Sequence, residues 1–399
     1  MNIGIFTDTY FPQISGVATS IKTLKDDLER KGHSVYIFTT TDPHVDKDVI
    51  EPNVFRLPSV PFVSFTDRRI AISGMFHAVE IAKELELDII HTQTEFSVGM
   101  IGKYVANRLK VPCVHTYHTM YEDYLHYVLN GHLLKPYHVK QMTKMFLSHT
   151  SGAIAPSEQV REVLQRYKIK TPISIIPTGV DLSEFTKPVE TKKLRASLGI
   201  EEDAPVILSL SRIAMEKKIE MTIKAMPKLI KKYPKIKLVI VGGGPDMDEI
   251  QEITRSVNMQ DHVIFTGEVD HDKVSPYYHM ANLFVSSSDT ETQGLTCIEA
   301  IASGAKVIVR SAPYTDALLK DPAVGVTFNT EEQLVSSVSR YLDHPKVFDD
   351  RKAQKQILHD ISSDTFGNNV LKFYQESYKY FLKQELSKSN LSSEEYSND

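Results

Sequence analysis

The chain has 399 residues, with 46 lysines and arginines against 51 aspartates and glutamates, two cysteines and no tryptophan. Single compact domains usually end well below this length, so we expect two domains. The hydrophobic fraction of 41% and the charged fraction of 24% are ordinary for a globular protein and exclude disorder along the whole chain. A formal net charge of -5 excludes a global field that attracts nucleic acid, and two isolated cysteines provide no disulfide framework.

The beginning of the chain predicts a strand and not a targeting segment. Met1 to Phe6 contain no charged n-region, hydrophobic h-region or cleavage site, so no signal peptide is predicted. The longest apolar runs have the length of a strand, whereas a spanning helix needs roughly 18–20 residues. We therefore expect a cytoplasmic protein, or one attached to a membrane surface without crossing it.

Short β-branched runs alternate with longer amphipathic stretches along the whole chain. In the first helical stretch, apolar residues recur at intervals of three and four from Val17 to Leu28, and Gly32 ends it. This alternation predicts an α/β protein with parallel sheets covered by helices on both faces. The predicted strands are 3–7, 34–39, 89–91, 113–116, 152–155 and 173–176, followed by 206–211, 237–241, 263–266, 283–286 and 306–309.

The pattern pauses near residues 180–200 and then restarts, which predicts two doubly wound, Rossmann-like domains joined there. We expect the ligand-binding loops at the carboxyl ends of the strands and the site in a cleft between the domains. The predicted parts are an N-terminal domain at 1–185, a C-terminal domain at 195–360, a helix at 361–383 that packs back toward the first domain, and a disordered polar tail at 384–399.

Residues 124–157 contain no aspartate or glutamate but include three lysines and four histidines. Val139, Met142, Met145 and Phe146 fall near one helical face, as in an interfacial helix that touches lipid headgroups. The alternative is a helix packed on the sheet with a basic solvent face. On the first interpretation, the membrane contacts are Lys135, Lys140 and Lys144.

Two turns could bind phosphate. Gly16 lies where a helix begins, so the free N–H groups and the helix dipole would favour an anion, although a simple helix cap is the alternative. In the loop after the first strand of the second domain, Arg212 and Lys217 could clamp a diphosphate. The alternative there is a solvated basic loop.

Glu291 and Glu299 are eight residues apart around the turn Gly294-Leu295-Thr296, which opens a helix. Carboxylates suit polyhydroxyl ligands, because each oxygen accepts hydrogen bonds from sugar hydroxyls. The spacing alone is common. Its value comes from its position after a strand and from the basic loop upstream.

Taken together and in this order, these motifs and Gly242-Gly243-Gly244-Pro245 resemble those of the retaining glycosyltransferases of family 4 over nearly the whole chain. The resemblance implies the GT-B fold of two Rossmann-like domains. The stretches Thr116-Tyr117-His118-Thr119-Met120-Tyr121-Glu122 and Glu291-Thr292-Gln293-Gly294-Leu295-Thr296 are most similar to the subgroup of bacterial diacylglycerol α-glucosyltransferases. Ser211 and Lys218 depart from the family pattern, which commonly has glycine at both positions.

The resemblance also implies roles for single residues. Gly16 would approach the donor diphosphate, and Arg212 with Lys217 would neutralise it. His118 would be the active-site histidine near the donor sugar, and Glu299 would bind the ribose hydroxyls. Glu291 would hold the sugar hydroxyls, helped by backbone N–H groups at Gly294, Leu295 and Thr296.

The substrates that the resemblance implies are UDP-glucose and the 3-hydroxyl of 1,2-diacylglycerol, on the cytoplasmic side of a membrane with anionic lipid. It implies no tightly bound cofactor and no metal ligands, and Mg²⁺ would stimulate without a site on the protein. The alternatives are another acceptor (a glycolipid, phosphatidylinositol or a soluble hydroxy acid), a nucleotide-sugar epimerase, and a non-catalytic membrane scaffold.

Overall fold

The computed structural model describes residues 1–13, 15–45, 51–62, 65–118, 135–288 and 294–395. The chain divides into two compact units. The first contains Met1–Gly179 and Ser363–Asp399, and the second contains Val180–Ser362. The chain therefore leaves the first unit after Gly179 and returns to it at Ser363.

In its described part, the first unit has a seven-stranded sheet in the order β3-β2-β1-β6-β7-β8-β9, with parallel neighbours. The central strands are apolar on both faces, as a sheet covered on two sides requires. β4 and β5 form a separate antiparallel pair. The strands are β1 (Asn2–Phe6), β2 (Ser34–Thr40), β3 (Val54–Leu57), β4 (Ser59–Phe62), β5 (Phe65–Ala71), β6 (Ile89–Thr92), β7 (Cys113–Thr116), β8 (Gly152–Ala155) and β9 (Ile173–Ile175).

The helices of the first unit bury the faces that the apolar spacing indicates. The first helix begins after Ser15, whose hydroxyl oxygen accepts a hydrogen bond from the Ala18 amide at 3.1 Å. Its residues Ile21, Leu24 and Leu28 are buried against the sheet. The helices are α1 (Gly16–Arg30), α2 (Met75–Glu84), α3 (Ser97–Leu109), α4 (Pro136–Leu147), α5 (Glu158–Arg166) and α15 (Ser363–Glu395).

The last helix, α15, shares the core around α1. Phe366, Val370 and Phe373 lie in the same apolar cluster as Ile21 and Leu24. The Tyr374 hydroxyl lies 2.7 Å from Nδ1 of the buried His91 on β6. Gly367 faces Asp27 of α1, and a Cβ atom at Gly367 would lie 1.7 Å from an Asp27 carboxylate oxygen. The two helices therefore approach through a residue without a side chain.

The predicted polar tail from residue 384 differs from the structure, in which α15 continues to Glu395. Residues 384–395 contain neither glycine nor proline, so nothing in their backbone chemistry ends the helix where the polar composition begins.

The described part of the second unit has a six-stranded parallel sheet in the order β12-β11-β10-β13-β14-β15. Two apolar clusters include its strand residues. The strands are β10 (Val206–Leu210), β11 (Lys237–Val241), β12 (Val263–Gly267), β13 (Leu283–Ser286), β14 (Lys306–Arg310) and β15 (Gly325–Phe328). The helices are α6 (Ser183–Thr186), α7 (Lys192–Ser197), α8 (Ile219–Ile230), α9 (Met247–Ser256), α10 (Ser275–Met280), α11 (Leu295–Ala302), α12 (Pro313–Leu318), α13 (Glu331–Asp343) and α14 (Arg351–Asp360).

The doubly wound α/β architecture predicted from the alternating pattern is confirmed. The stretch at 180–200 differs from a plain linker, because α6 and α7 belong to the second unit. Strands β3, β4, β5 and β15 were not predicted, since they are short or interrupted by polar residues and glycine. Within the described residues, none of the helices is both long and apolar enough to cross a membrane.

Candidate donor-sugar site

Two loops of the second unit fit together backbone to backbone. The loop after β10 contains Ser211, and the loop after β11 begins with Gly242. A Cβ atom at Gly242 would lie 2.0 Å from the Ser211 carbonyl oxygen, and one at Gly244 would lie 2.1 Å from that of Ile213. The Ile213 amide donates to the Gly243 carbonyl at 2.8 Å. Glycine is therefore needed at positions 242 and 244, because the loop that contains Arg212 occupies the space that a side chain would fill there.

The basic residues of this loop lie at the carboxyl end of β10. Arg212 is exposed, and its guanidinium has no hydrogen bond or ion pair within the described residues. Lys217 is half-buried at the end of a short 3-10 helix, Met215–Lys217. Lys218 follows with φ +47° and ψ +41°, a left-handed conformation that favours glycine. This conformation explains why glycine is common at that position in the resembling family.

The predicted turn at Gly294 begins α11. Gly294 has φ +51° and precedes Leu295 and Thr296, whose N–H groups belong to the first helical turn and have no acceptor within the helix. Glu299 lies one turn further and is buried. Since β13 leads to this region and pairs with β10, both predicted groups follow neighbouring strands at the same sheet edge. Glu291 lies outside the described residues.

Both oxygens of the Glu299 carboxylate accept hydrogen bonds. The Tyr278 hydroxyl donates to Oε2 at 2.7 Å, and His271 Nε2 lies 3.0 Å from Oε1. The hydrogen bond with Glu299 raises the pKa of His271 above its ordinary value of 6.5, against the effect of burial. Sequence reasoning missed both partners. No local motif marks either residue, because Tyr278 and His271 are 21 and 28 residues from Glu299 in the chain.

In the first unit, Gly16 begins α1 at the carboxyl end of β1. Among the residues that the structure describes, a Cβ atom built on Gly16 would meet no other atom within 4 Å, so the Cβ position at this turn is open. Ser15 caps the helix. The capping and the phosphate-binding interpretations are therefore compatible, because the cap occupies only one of the free N–H groups.

His118 follows β7 and is held by a residue that sequence reasoning missed. Its Nε2 lies 2.6 Å from Oε1 of Gln93, which directly follows β6. Burial, together with the nearby His115, lowers the pKa of His118 to about 3. The ring is therefore neutral at neutral pH. With Nε2–H donating to Gln93, Nδ1 is left as an acceptor for a ligand hydroxyl.

The neighbouring polar side chains are also engaged. His115 Nε2 lies 3.1 Å from Glu95 Oε1, and its Nδ1 lies 2.9 Å from the Thr92 hydroxyl. Asp8, after β1, accepts hydrogen bonds from the Thr94 hydroxyl at 2.6 Å and from the Val98 amide at 3.0 Å. Burial raises the pKa of Asp8, and these hydrogen bonds oppose the rise. Asp8 thus fixes the start of α3.

The predicted apolar face of α4 is divided in the structure. Val139 and Phe146 are buried in the core, whereas Met142 and Met145 are 47% and 64% exposed. The four residues therefore do not act as one face, because the core covers only the side of the helix that contains Val139 and Phe146. Tyr137, 64% exposed, adds to the outer side. The predicted lysine contacts lie on or directly before this helix: Lys135 is exposed, and Lys140 and Lys144 are half-buried.

The structure therefore gathers Arg212, Lys217, Gly294 to Thr296 and Glu299 at one edge of the second sheet. Gly16 and His118 lie at the carboxyl edge of the first sheet, after strands that flank β6. Among the residues that the structure describes, no three His, Cys, Asp or Glu side chains form a group that could hold a metal ion. The arrangement offers cations for a diphosphate and a carboxylate for hydroxyls.

Family models match both units. Residues 14–184 match the model described as Glycosyltransferase Family 4, and residues 190–357 match Glycosyl transferases group 1. The alpha-monoglucosyldiacylglycerol synthase of Streptococcus pneumoniae is 44% identical over 381 residues, covering 94% of this chain and 86% of that one. The enzyme of the same name from Acholeplasma laidlawii is 34% identical over 360 residues, covering 87% of this chain and 89% of that one.

Solved structures show the same fold at lower identity. The Anabaena protein HepE in complex with UDP has a TM-score of 0.76 and 16% identity, covering 94% of this chain and 100% of that one. The sucrose-phosphate synthase of Thermosynechococcus elongatus has a TM-score of 0.73 and 23% identity, covering 94% of this chain and 98% of that one. The predicted GT-B fold is confirmed.

Proposed function

Because this chain belongs to glycosyltransferase family 4, we propose that it transfers glucose from UDP-glucose to the 3-hydroxyl of 1,2-diacylglycerol. The observation that carries the proposal is the 44% identity to a monoglucosyldiacylglycerol synthase over 94% of the chain. The predicted family and the predicted enzyme class are confirmed by these comparisons. The product would be α-monoglucosyldiacylglycerol, formed with retention at the anomeric carbon.

On the donor side, the proposal gives each positioned group one task. Arg212 and Lys217 stabilise the negative charge that grows on the leaving diphosphate. The N–H groups at the start of α11 and the carboxylate of Glu291 bind the sugar, and Glu299 accepts hydrogen bonds from the ribose hydroxyls. The exposed guanidinium of Arg212 supports this role, since its loop is fixed while its side chain remains available within the described structure.

In the first unit, Gly16 leaves room for the diphosphate of the donor, and His118 contacts the donor sugar. Because the low pKa of His118 keeps the ring neutral, it acts as a hydrogen-bond partner and not as an acid. The acceptor hydroxyl would approach on the leaving-group side, and a diphosphate oxygen would take its proton. Catalysis then rests on positioning and charge stabilisation and requires no nucleophilic side chain.

The proposal includes peripheral attachment to the cytoplasmic side of a membrane through α4. Tyr137, Met142 and Met145 are exposed apolar side chains on a helix that contains lysines and no acidic residue. Apolar residues beside lysines suit the boundary between anionic headgroups and acyl chains. The Lys103 ammonium of α3 donates to the Ser148 carbonyl at 3.0 Å and so fixes the end of α4.

The activity is tested with purified protein, UDP-[14C]glucose and diacylglycerol in anionic mixed micelles. We expect a labelled glycolipid, with an α-anomeric proton by NMR, and almost none from Arg212→Gln. Labelled transfer to a soluble acceptor without glycolipid would contradict the proposed acceptor. Conversion of the nucleotide sugar without any acceptor would instead indicate an epimerase.

Membrane attachment is tested by liposome flotation. We expect the wild type to float with vesicles that contain anionic lipid, and the double variant Met142→Glu/Met145→Glu to stay in solution. Val347→Glu is the matched control, because Val347 is 74% exposed but lies in the second unit. Equal flotation of all three proteins would rule out α4 as the contact.

A further inference from the structure

The two oxygens of the Glu299 carboxylate have different surroundings. Oε2 accepts its hydrogen bond from Tyr278, which is completely buried. Oε1 lies 3.0 Å from Nε2 of His271, whose side chain is 61% exposed, while that of Glu299 is only 7% exposed. Oε2 therefore faces a buried partner and Oε1 an exposed one.

One buried ring lies against both partners of Glu299. The ring centroid of Phe185, on α6, lies 5.8 Å from that of Tyr278 and 6.1 Å from that of His271, with steep interplanar angles of 78° and 71°. Edge-to-face contacts of this kind are favourable and restrict ring orientation. Tyr278 also contacts Phe284 of β13 at 5.9 Å. The hydrogen-bond donors to Glu299 are thus held by the core of the second unit.

The direction of the His271 hydrogen bond follows from the charges around it. Glu299 is the main cause of its raised pKa, and Glu184 and Asp272 add to the rise. Asp270 also belongs to this segment, but it pairs with Lys273 at 2.6 Å. Since a carboxylate oxygen accepts, Nε2 of the ring carries the hydrogen and donates to Oε1.

We propose that His271 is a positioning residue of the donor site, which orients the Glu299 carboxylate toward the ribose hydroxyls of the nucleoside diphosphate. The inference rests on the proposed function, in which Glu299 contacts the ribose. A single hydrogen bond from Tyr278 leaves the terminal torsion of the glutamate broad, and a second one fixes the carboxylate plane. Oε1 has two lone pairs, so it accepts from His271 and from a hydroxyl at the same time.

The inference is tested by a thermodynamic cycle, in which the His271 side chain and a ribose hydroxyl of the ligand are removed separately and together. Dissociation constants are measured by calorimetry for UDP, 2′-deoxy-UDP and 3′-deoxy-UDP, with the wild type and with His271→Ala. We expect His271→Ala to weaken UDP binding by about 5- to 10-fold, as for the loss of one hydrogen bond. The same substitution should have almost no effect on at least one deoxynucleotide, which lacks the hydroxyl that Glu299 accepts.

A second readout separates positioning from a general structural role. His271→Ala should raise the KM for UDP-glucose and leave kcat within about twofold, because the ribose is bound equally in the ground and transition states. His271→Gln, which keeps an N–H donor, should restore much of the KM. His344→Ala, at another exposed histidine of the second unit, should change neither.

Equal weakening of all three nucleotides by His271→Ala would overturn the positioning role. A different result identifies a failure of the proposed function itself: if Glu299→Ala binds UDP and both deoxynucleotides as the wild type does, Glu299 does not contact the ribose. The two failures are therefore distinguishable in one set of titrations.

Discussion

Gly242 lies so close to Ser211 that a Cβ atom on the glycine would be 2.0 Å from the Ser211 carbonyl oxygen. Gly242→Ala should push the Arg212 loop away from β11. We expect kcat/KM for the nucleotide sugar to fall by at least about tenfold, because small displacements of a charged group strongly reduce catalysis. The free energy of unfolding should fall by roughly 1–3 kcal/mol.

The matched control for this prediction is Gly199→Ala. Gly199 also has a positive φ, of +67°, but a Cβ atom there meets nothing within 4 Å. Gly199→Ala should therefore destabilise the protein through backbone strain alone and leave kcat/KM for the nucleotide sugar unchanged. Wild-type kinetics in both variants would mean that the close approach of the two loops does not position Arg212.

Lys218 occupies a left-handed conformation directly before α8. Lys218→Gly should stabilise the protein by about 1 kcal/mol, because it relieves the strain of a side chain at positive φ. The measurement is urea unfolding. Lys224→Gly, the same substitution at an exposed position inside α8, should instead destabilise by about 1 kcal/mol. A loss of stability in both variants would contradict the strain argument.

Stability should fall as the medium becomes acidic. Burial lowers the pKa of His118 to about 3 and that of His91 well below 6.5. Between pH 6.5 and those lower values the unfolded chain binds more protons than the folded one, so acid favours unfolding. The raised pKa of His271 changes the stability in the opposite direction. We expect this contribution to be smaller, because it comes from one residue whose side chain is exposed.

This pH dependence is measured by urea unfolding from about pH 7.5 to about pH 5. His91→Gln should be less stable than the wild type at neutral pH, because it disturbs the hydrogen bonds to Tyr374 and Thr116. Its stability should nevertheless depend less on pH. An equally steep dependence in the variant would assign the effect to other groups.

For Gly367→Ala, the sign of the change in unfolding free energy tests the close contact between α15 and Asp27 of α1. Alanine normally favours a helix interior over glycine by about 1 kcal/mol. Here its Cβ would meet the buried carboxylate of Asp27, which is fixed by Arg30 and Lys31. We expect a net loss of roughly 1–3 kcal/mol in unfolding free energy. The double variant Asp27→Ser/Gly367→Ala should lose less unfolding free energy than the sum of the losses in the two single variants. If the two losses simply add, the contact between the new Cβ atom and Asp27 is refuted.

The sequence predicted the central strands well because their β-branched runs are uninterrupted. β15 was not predicted, because it begins with Gly325 and glycine is usually counted against a strand. In the fold, however, a Cβ atom at this position would lie 2.3 Å from the Val307 carbonyl oxygen. Glycine is required by the neighbouring strand, which local sequence does not reveal. In α4, spacing placed Met142 and Phe146 on one face, and only the packing separates them.

The residues of the candidate site also divide into those that a local motif identifies and those that only the fold brings together. Arg212, Lys217 and Glu299 belong to local motifs, so they could be named before the fold was known. His271 could not, because its partner Glu299 is 28 residues away and the two meet only when α11 packs near α10. Gln93 likewise reaches His118 across neighbouring strands.

The division of the first unit into two stretches of chain has a consequence during synthesis. The buried face of α1 shares its core with Phe366 and Phe373, which are translated only after Val180–Ser362. At about 5–20 residues per second, that interval is on the order of 10–40 s. During it, an apolar helix face lacks its partner and is accessible to chaperones or to other nascent chains. The last helix, rather than the first sheet, thus decides when the first unit becomes safe from aggregation.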